Sequence, residues 1–378
     1  MYICAALPYE INEFHTPSCR IICWRFMHQV IVTVFVGWLS VLRFNRFQDV
    51  LYKKSDIFSV GMDSMGYGLL LLIHLIVYCE NTWKSLYYIE IFNNFEMILQ
   101  KFQLNLKFKL NISRLHLYTM VLYSMLALNI TITFFVIYLR YIKSLNAIRL
   151  LLAQYSEFIL KLKLTEYALF LVIIIVIQLH LNVFTKHYVR HTIPRLKCVP
   201  EGREQDEILH VIGILQDIHY LLISNVNHLE HYFAWSLPML ILKMFSEIVL
   251  TSYWIYFSVD FKINLYFQLY GYSVIVLHII IVFVISCLCS KCEKLDTEFS
   301  NIFHMTKHER YNPFLNALLK EMSLQIFHQK IRFTAGGFID VNYKLFGKLK
   351  TPVRETGVTI NQSQISVTIG GLSLTFCF

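Results

Sequence analysis

The chain has 378 residues, 56% hydrophobic and only 16% charged, with a mean hydropathy of +0.51. A soluble chain of this size carries about a quarter charged residues, so this balance excludes an ordinary soluble enzyme domain. The formal charge is +9, from 34 Lys plus Arg against 25 Asp plus Glu. The basic residues lie mostly between apolar blocks, where they orient helices, and nucleic acid is excluded as a partner.

Six stretches approach the roughly 20 mostly apolar residues that a spanning helix needs. They run from Met27 to Leu42 (extendable back to Ile21), Val60 to Tyr78, Leu117 to Leu139, Tyr167 to Leu181, Tyr232 to Phe257 and Leu265 to Leu288. The fourth holds the most apolar run, Leu169 to Ile177. Loop two (Asn81 to His116), loop four (Phe184 to His231) and the region after Cys289 are long and rich in helix formers of mixed charge. They predict helices that continue past the membrane. Loop five, Ser258 to Asn264, is very short. The predicted fold is an all-α, polytopic membrane helical bundle with six clear spans. The first twenty residues lack a basic n-region followed by an apolar h-region, so no cleaved signal peptide is expected.

Basic residues orient the bundle. With the N-terminus inside, the cytoplasmic set holds 22 Lys and Arg: 2 before the first span, 5 in loop two, 5 in loop four and 10 in Lys291 to Lys350. The outside loops hold 10, counting Lys161 and Lys163 in loop three. The excess predicts an N-terminus inside, although loops two and three taken alone balance. An acceptor sequon at Asn111 then faces the cytoplasm and stays unglycosylated.

Polar residues within or near the spans are read next. His187 with His191, His228 with His231 and His304 with His308 are spaced for one helix face, as metal ligands require. No third ligand accompanies them, so no metal or cofactor is expected. His74 and His278 fall mid-span and are read as hydrogen-bonded packing groups. Lys243 and Glu247 share a face; Lys243 is expected to snorkel to the inner surface rather than pair inside the bundle. Cys287, Cys289 and Cys292 sit at the inner edge of the sixth span and are read as membrane-edge thiols rather than palmitoylation sites. The nine cysteines show no disulfide framework. No phosphate loop, HExxH or paired intramembrane acid appears, and no catalytic residue is assigned.

After the sixth span and an amphipathic stretch, Asn312 to Arg332, comes Phe333-Thr-Ala-Gly-Gly-Phe-Ile-Asp-Val-Asn-Tyr-Lys-Leu-Phe346. It resembles the signature preceding the last helix of insect gustatory receptors, with Thr334, Gly337, Phe338, Asp340, Leu345 and Phe346 in place. Asn342 stands where that family usually has a second acidic residue. The resemblance implies seven helices, a tetramer and a last helix lining an ion pore. Here the chain instead reads Lys350-Thr-Pro-Val-Arg-Glu-Thr-Gly357 and continues in a Ser/Thr-rich tail, so the seventh helix is expected to be missing. Val367 to Phe378 suits a short strand or buried segment. An altered reading of the gene's 3′ end is favoured over a truncated isoform. The expected organisation is a six-span bundle over 1–289, a cytoplasmic anchor helix with the pore-helix junction over 290–349, and an atypical tail over 350–378.

The resemblance further implies a ligand-gated cation channel subunit of the plasma membrane for small-molecule tastants, bitter compounds being the preferred class. It would be embedded in membrane lipid as a homo- or hetero-tetramer. In the inside-first topology the outer halves of the spans place Tyr67, Phe134, Tyr253, Trp254 and Tyr270 as ligand-binding residues, with Phe170 at the outer start of the fourth span. Thr334, Gly336, Gly337, Phe338 and Asp340 are the expected gating and coupling residues. The alternatives are a secondary transporter and a non-conducting accessory subunit.

Overall fold

The computed structural model describes residues 57–108, 113–141, 147–189, 203–260 and 265–304, scattered positions in 27–38 and 320–341, and the strand residues 364–369 and 372–377. Of the expected first span, Met27, Ile31, Val34 and Trp38 are helical and exposed; much of that segment lies outside the described residues.

Among the described residues these helices follow one another: α1 (Ile57–Trp83), α2 (Ser85–Gln100), α3 (Ser113–Tyr141), α4 (Ala147–His187), α5 (Arg203–Tyr232), α6 (Ser236–Asp260) and α7 (Leu265–His304). A π-helical turn, Lys101–Asn105, extends α2. The scarcity of Pro and Gly permits these lengths. Pro238 falls in the first turn of α6, where its missing amide breaks no helical hydrogen bond. Helix α4 has 41 residues and α7 has 40. At a rise of about 1.5 Å per residue each extends about 60 Å, twice a hydrocarbon core of about 30 Å. Both therefore continue well beyond a bilayer, as the long polar connections predict, and loops two and four contain α2 and α5.

Among the described residues, five segments are by length and apolar composition able to cross a membrane: Ser113–Ile132, Glu157–His187, Asp206–Tyr232, Ser236–Tyr256 and Gly271–Phe303, with a shorter apolar helix at Gly68–Trp83. The chain is a polytopic helical membrane protein. Asp206–Tyr232 lies in a connection that sequence alone assigned outside the membrane, and its polar content makes it a different kind of helix from Gly271–Phe303.

Two small hairpins complete the described structure. Strand β1 (Thr334–Ala335) pairs antiparallel with β2 (Ile339–Asp340), Thr334 opposite Asp340. Strand β3 (Gln364–Ile369) pairs antiparallel with β4 (Leu372–Cys377). The sequence between β3 and β4 is Gly370-Gly371, a pair that two-residue hairpin turns favour. The expected Val367–Phe378 segment is therefore divided between two strands: Val367–Ile369 end β3, and Leu372–Cys377 form β4.

The chain divides into two compact units. The first comprises Met1–Asn93, Asn111–Val172 and His231–Phe283. Its core includes Tyr88, Phe92, Tyr167, Phe170, Tyr232 and Phe233, whose rings meet at 4.9–6.5 Å, mostly edge to face or tilted, the geometry aromatic quadrupoles prefer. The second comprises Asn94–Leu110, Ile173–Glu230 and Val284–Phe378. There Lys101 pairs with Asp217 at 2.8 Å, and Asn94 donates to Ser224. Asn182 donates to the Leu295 carbonyl at 2.9 Å, and Phe108 packs on His180 and Phe184.

Candidate functional site

The first unit holds a buried charge network within the bundle. Lys243 of α6 is 6% exposed and reaches Glu157 of α4 at 2.8 Å and Glu247, one turn along its own helix. Glu247 also meets His278 Nε2 of α7 at 2.7 Å, while His278 Nδ1 lies 2.7 Å from the Val274 carbonyl. Lys161 donates to Asn129 of α3 at 2.7 Å. Lys243 therefore does not snorkel; it pairs inside the bundle, because two carboxylates converge on it. His278 is the hydrogen-bonded packing group expected of it. His74 is not: it is 1% exposed, neither ring nitrogen has a hydrogen-bond partner, and its ring lies 5.5 Å from that of Tyr78.

A second buried cluster binds the ends of α1, α5 and α6 to α4. Glu80 takes the backbone N–H groups of Trp235 at 2.7 Å and Ser236 at 3.0 Å. A carboxylate thus satisfies the free amides that open helix α6 and sits at the positive end of its dipole. Asn81 accepts from Lys163 Nζ at 2.7 Å and from the Tyr232 hydroxyl at 3.0 Å. Lys163 is fully buried, 3.0 Å from Glu166, with its ammonium 3.9 Å from the Tyr232 ring and 4.3 Å from the Phe233 ring. Two basic residues assigned to a loop, Lys161 and Lys163, therefore lie inside α4 with partners, and they report nothing about orientation. Phe170 belongs to the aromatic core beside Tyr88 and Phe92 of α2, not to an outer cavity wall.

Of the expected ligand residues, Tyr253 and Trp254 are half-buried on α6, their rings edge to face at 5.5 Å. Tyr67 lies on α1, Phe134 on α3 and Tyr270 on α7; their side chains lie outside the described residues. The helices come close in this part of the unit. A Cβ added to Gly271 of α7 would stand 2.7 Å from Ile255 Cγ1 and 3.2 Å from Thr251 Cγ2, and one on Gly66 of α1 would meet Leu250 at 3.2 Å. Glycine at those two positions lets α1 and α7 reach α6, which carries Tyr253 and Trp254.

In the second unit the segment around Thr334 is tied down by two carboxylates that sequence reasoning missed. Thr334 donates its backbone N–H at 2.6 Å and its hydroxyl at 2.9 Å to Glu230 of α5. Asp296 of α7 takes the Ile331 N–H at 3.0 Å and meets His219 of α5 at 2.9 Å. Val341 N–H closes the segment onto the Phe333 carbonyl, and Phe333, Ala335 and Val341 are buried. Gly336 and Gly337 adopt φ of 62° and 77°, a left-handed conformation that only glycine takes freely. They make the β1–β2 turn. Phe338 and the side chain of Asp340 lie outside the described residues.

The remaining polar groups have local roles. His228 lies 3.1 Å from Ser224, and His231 stacks on Tyr87 at 5.3 Å. Among the described residues no group of three or more His, Cys, Asp or Glu is placed to hold a metal ion. Cys289 and Cys292 are buried thiols and Cys287 is half-buried, so two of the three membrane-edge thiols are out of reach of acylation.

The sequence profile of the 7tm chemosensory receptor family matches residues 1–350, ending where the tail departs from the expected pattern. The chain is 26% identical over 353 residues to gustatory receptor 98a of Drosophila melanogaster, covering 90% of this chain and 83% of that one. It is 29% identical over 210 residues to gustatory receptor 98b of the same organism, covering 53% of this chain and 50% of the relative.

Proposed function

The chain belongs to the 7tm chemosensory receptor family, and on that premise we propose that it is a gustatory receptor subunit of the plasma membrane, a cation channel gated by small tastants. The family binds small-molecule ligands; bitter compounds are the class favoured for this member. The observation that carries the reading is the match over residues 1–350, which spans both the bundle and the motif at Thr334. Assembly as a homo- or hetero-tetramer, embedded in lipid, belongs to the same proposal.

The mechanism is a population shift: a tastant entering the bundle favours the open arrangement by the difference in its affinity for the two states. Tyr67, Phe134, Tyr253, Trp254 and Tyr270 are the proposed ligand contacts. The half-buried Tyr253–Trp254 pair offers the aromatic faces with few polar groups that suit small apolar ligands. Thr334, Gly336, Gly337, Phe338 and Asp340 form the coupling segment. Its bond to Glu230 gives helix α5 a direct hold on it.

Expression with and without other receptor subunits, under voltage clamp, tests this. Ligand-evoked cation current supports a channel subunit; silence alone with altered currents from co-expressed partners supports an accessory subunit. Alanine at Tyr67, Trp254 or Tyr270 is expected to shift the dose–response midpoint for some ligands more than others. Unchanged midpoints for all three at normal surface levels would place the pocket elsewhere. A secondary transporter is the competing reading, and one observation favours it: Lys243, Glu157, Glu247 and His278 are buried together within the bundle, as coupling sites in transporters are. Saturable substrate uptake without unitary current would decide for it.

A further inference from the structure

We propose that Glu247 of α6 and His278 of α7 form a proton-binding site within the bundle, so that contact between the two helices at this level is linked to pH. His278 is 6% exposed, and its Nδ1 lies 2.7 Å from the Val274 carbonyl oxygen. A carbonyl only accepts, so Nδ1 carries a hydrogen, and Nε2 keeps a bare lone pair unless a second proton is bound. That nitrogen stands 2.7 Å from Glu247 Oε2. Glu247 Oε1 accepts from Lys243, whereas Oε2 is buried and, among the described residues, faces no donor other than this ring. Two lone pairs at that separation repel. One proton between them turns the contact into an imidazolium–carboxylate pair or its neutral equivalent. Both residues lie inside apolar segments, Ser236–Tyr256 and Gly271–Phe303, where a carboxylate oxygen without a partner is strongly unfavourable.

Helix packing sets the distance. Gly271, two turns before His278, brings α7 against Ile255, two turns after Glu247, so neither side chain has to reach for the other. The remaining charges around the pair balance without the proton. Lys243 pairs with Glu157 of α4 as well as with Glu247, and Lys161 of α4, bonded to Asn129 of α3, completes two ammonium groups and two carboxylates. From α1 the facing titratable group is His74, which interacts with the Lys243 charge but has no hydrogen-bond partner. The proton can therefore leave the pair without stranding a net charge, which separates an exchangeable site from a permanent ion pair. Contact and proton favour each other reciprocally. Acid favours the arrangement in which α6 and α7 touch here, and an arrangement that parts them gives up the proton. The site rests on contacts within the bundle and needs neither the channel nor the transporter reading.

Nitrogen-15 spectra of histidine-labelled full chain in phosphatidylcholine nanodiscs test it, recorded from about pH 5.5 to about pH 8.5 to bracket the ordinary histidine range. The signal missing from His278→Gln identifies the residue; if that variant fails to fold, His278→Asn serves the same purpose. The ring is expected to pass from the doubly protonated form to the Nδ1–H tautomer as pH rises, the opposite tautomer from the one free histidine prefers. A ring that is neutral throughout, one that stays doubly protonated throughout, or a neutral form with its hydrogen on Nε2 overturns the site. A double-mutant cycle of His278→Gln with Glu247→Gln, read as melting temperatures in detergent, then tests the link to helix contact. The coupling between the two side chains is expected to be several-fold larger at the acid end of the range than at the alkaline end. Coupling that is equal at both ends, or absent at both, overturns the link.

Discussion

Helices α3 and α4 are both long and apolar enough to cross a membrane, yet the rest of the chain treats them oppositely. In Ser113–Ile132 of α3, 6% of the most apolar window is buried by protein; in Glu157–His187 of α4 the share is 67%, although α4 is the more apolar. Leu117, Met120, Tyr123 and Leu128 of α3 stand exposed, whereas Leu171, Ile174 and Ile175 of α4 are enclosed. An apolar run therefore states that a segment avoids water without saying whether lipid or protein provides the shelter. Their polar groups differ in the same way. Asn129 is the buried polar residue described on Ser113–Ile132, and it serves α4 by receiving Lys161. Helix α4 itself buries Lys163, Gln178, His180, Asn182 and Thr185.

The contrast is broken most severely at Lys163. Lys163→Ala leaves Glu166 buried without its cation, which costs about 3–5 kcal/mol. Surface yield and the melting temperature in detergent are expected to collapse, while Lys163→Met with Glu166→Gln recovers most of the loss. A mild effect of the single change would mean that water reaches Glu166. Phe170→Ala and Leu128→Ala then sharpen the comparison. The first empties a place in the aromatic core and costs about 3–5 kcal/mol, while the second trims an exposed side chain and stays within about 0.5 kcal/mol. Equal losses in thermal melting would erase the distinction between the helices. A small effect on stability, about 1 kcal/mol, is expected at Thr334→Val, which removes one hydroxyl bond to Glu230. If the motif couples α5 to a gate, this variant raises the ligand concentration for half-activation while leaving surface expression near normal; unchanged activation would make the bond merely structural.

Composition and segment length made the membrane class and most of the helices legible, and the Thr334–Phe346 pattern pointed to the family. The fourth span was legible from its apolar run, which falls within Glu157–His187, whereas the protein that covers that run was not. Lys161 and Lys163 were counted as loop charges because nothing near them in sequence announces Asn129, Asn81 or Tyr232 as partners. Lys243 was read as snorkelling for the same cause: Glu247 was visible one turn away, whereas Glu157, which completes its pairing, lies 86 residues back. Glu230 and Asp296 carried no local signal; their roles are to accept N–H groups from a segment that arrives from far along the chain. Glycine was the exception, since Gly336-Gly337 announced a tight turn and the positive φ values fulfil it.

Val183 offers the most direct test, because it sits on α4 within the stretch that hydropathy assigns to the membrane, yet is 59% exposed and so tolerates a larger side chain. Val183→Trp and Leu128→Trp are compared in nanodiscs containing brominated phosphatidylcholine. The account predicts that Leu128→Trp on α3 is quenched by the brominated chains, while Val183→Trp is untouched by them and quenched by iodide from the aqueous phase. Val183→Trp quenched by the brominated lipid as strongly as Leu128→Trp would put this part of α4 in contact with lipid and contradict it.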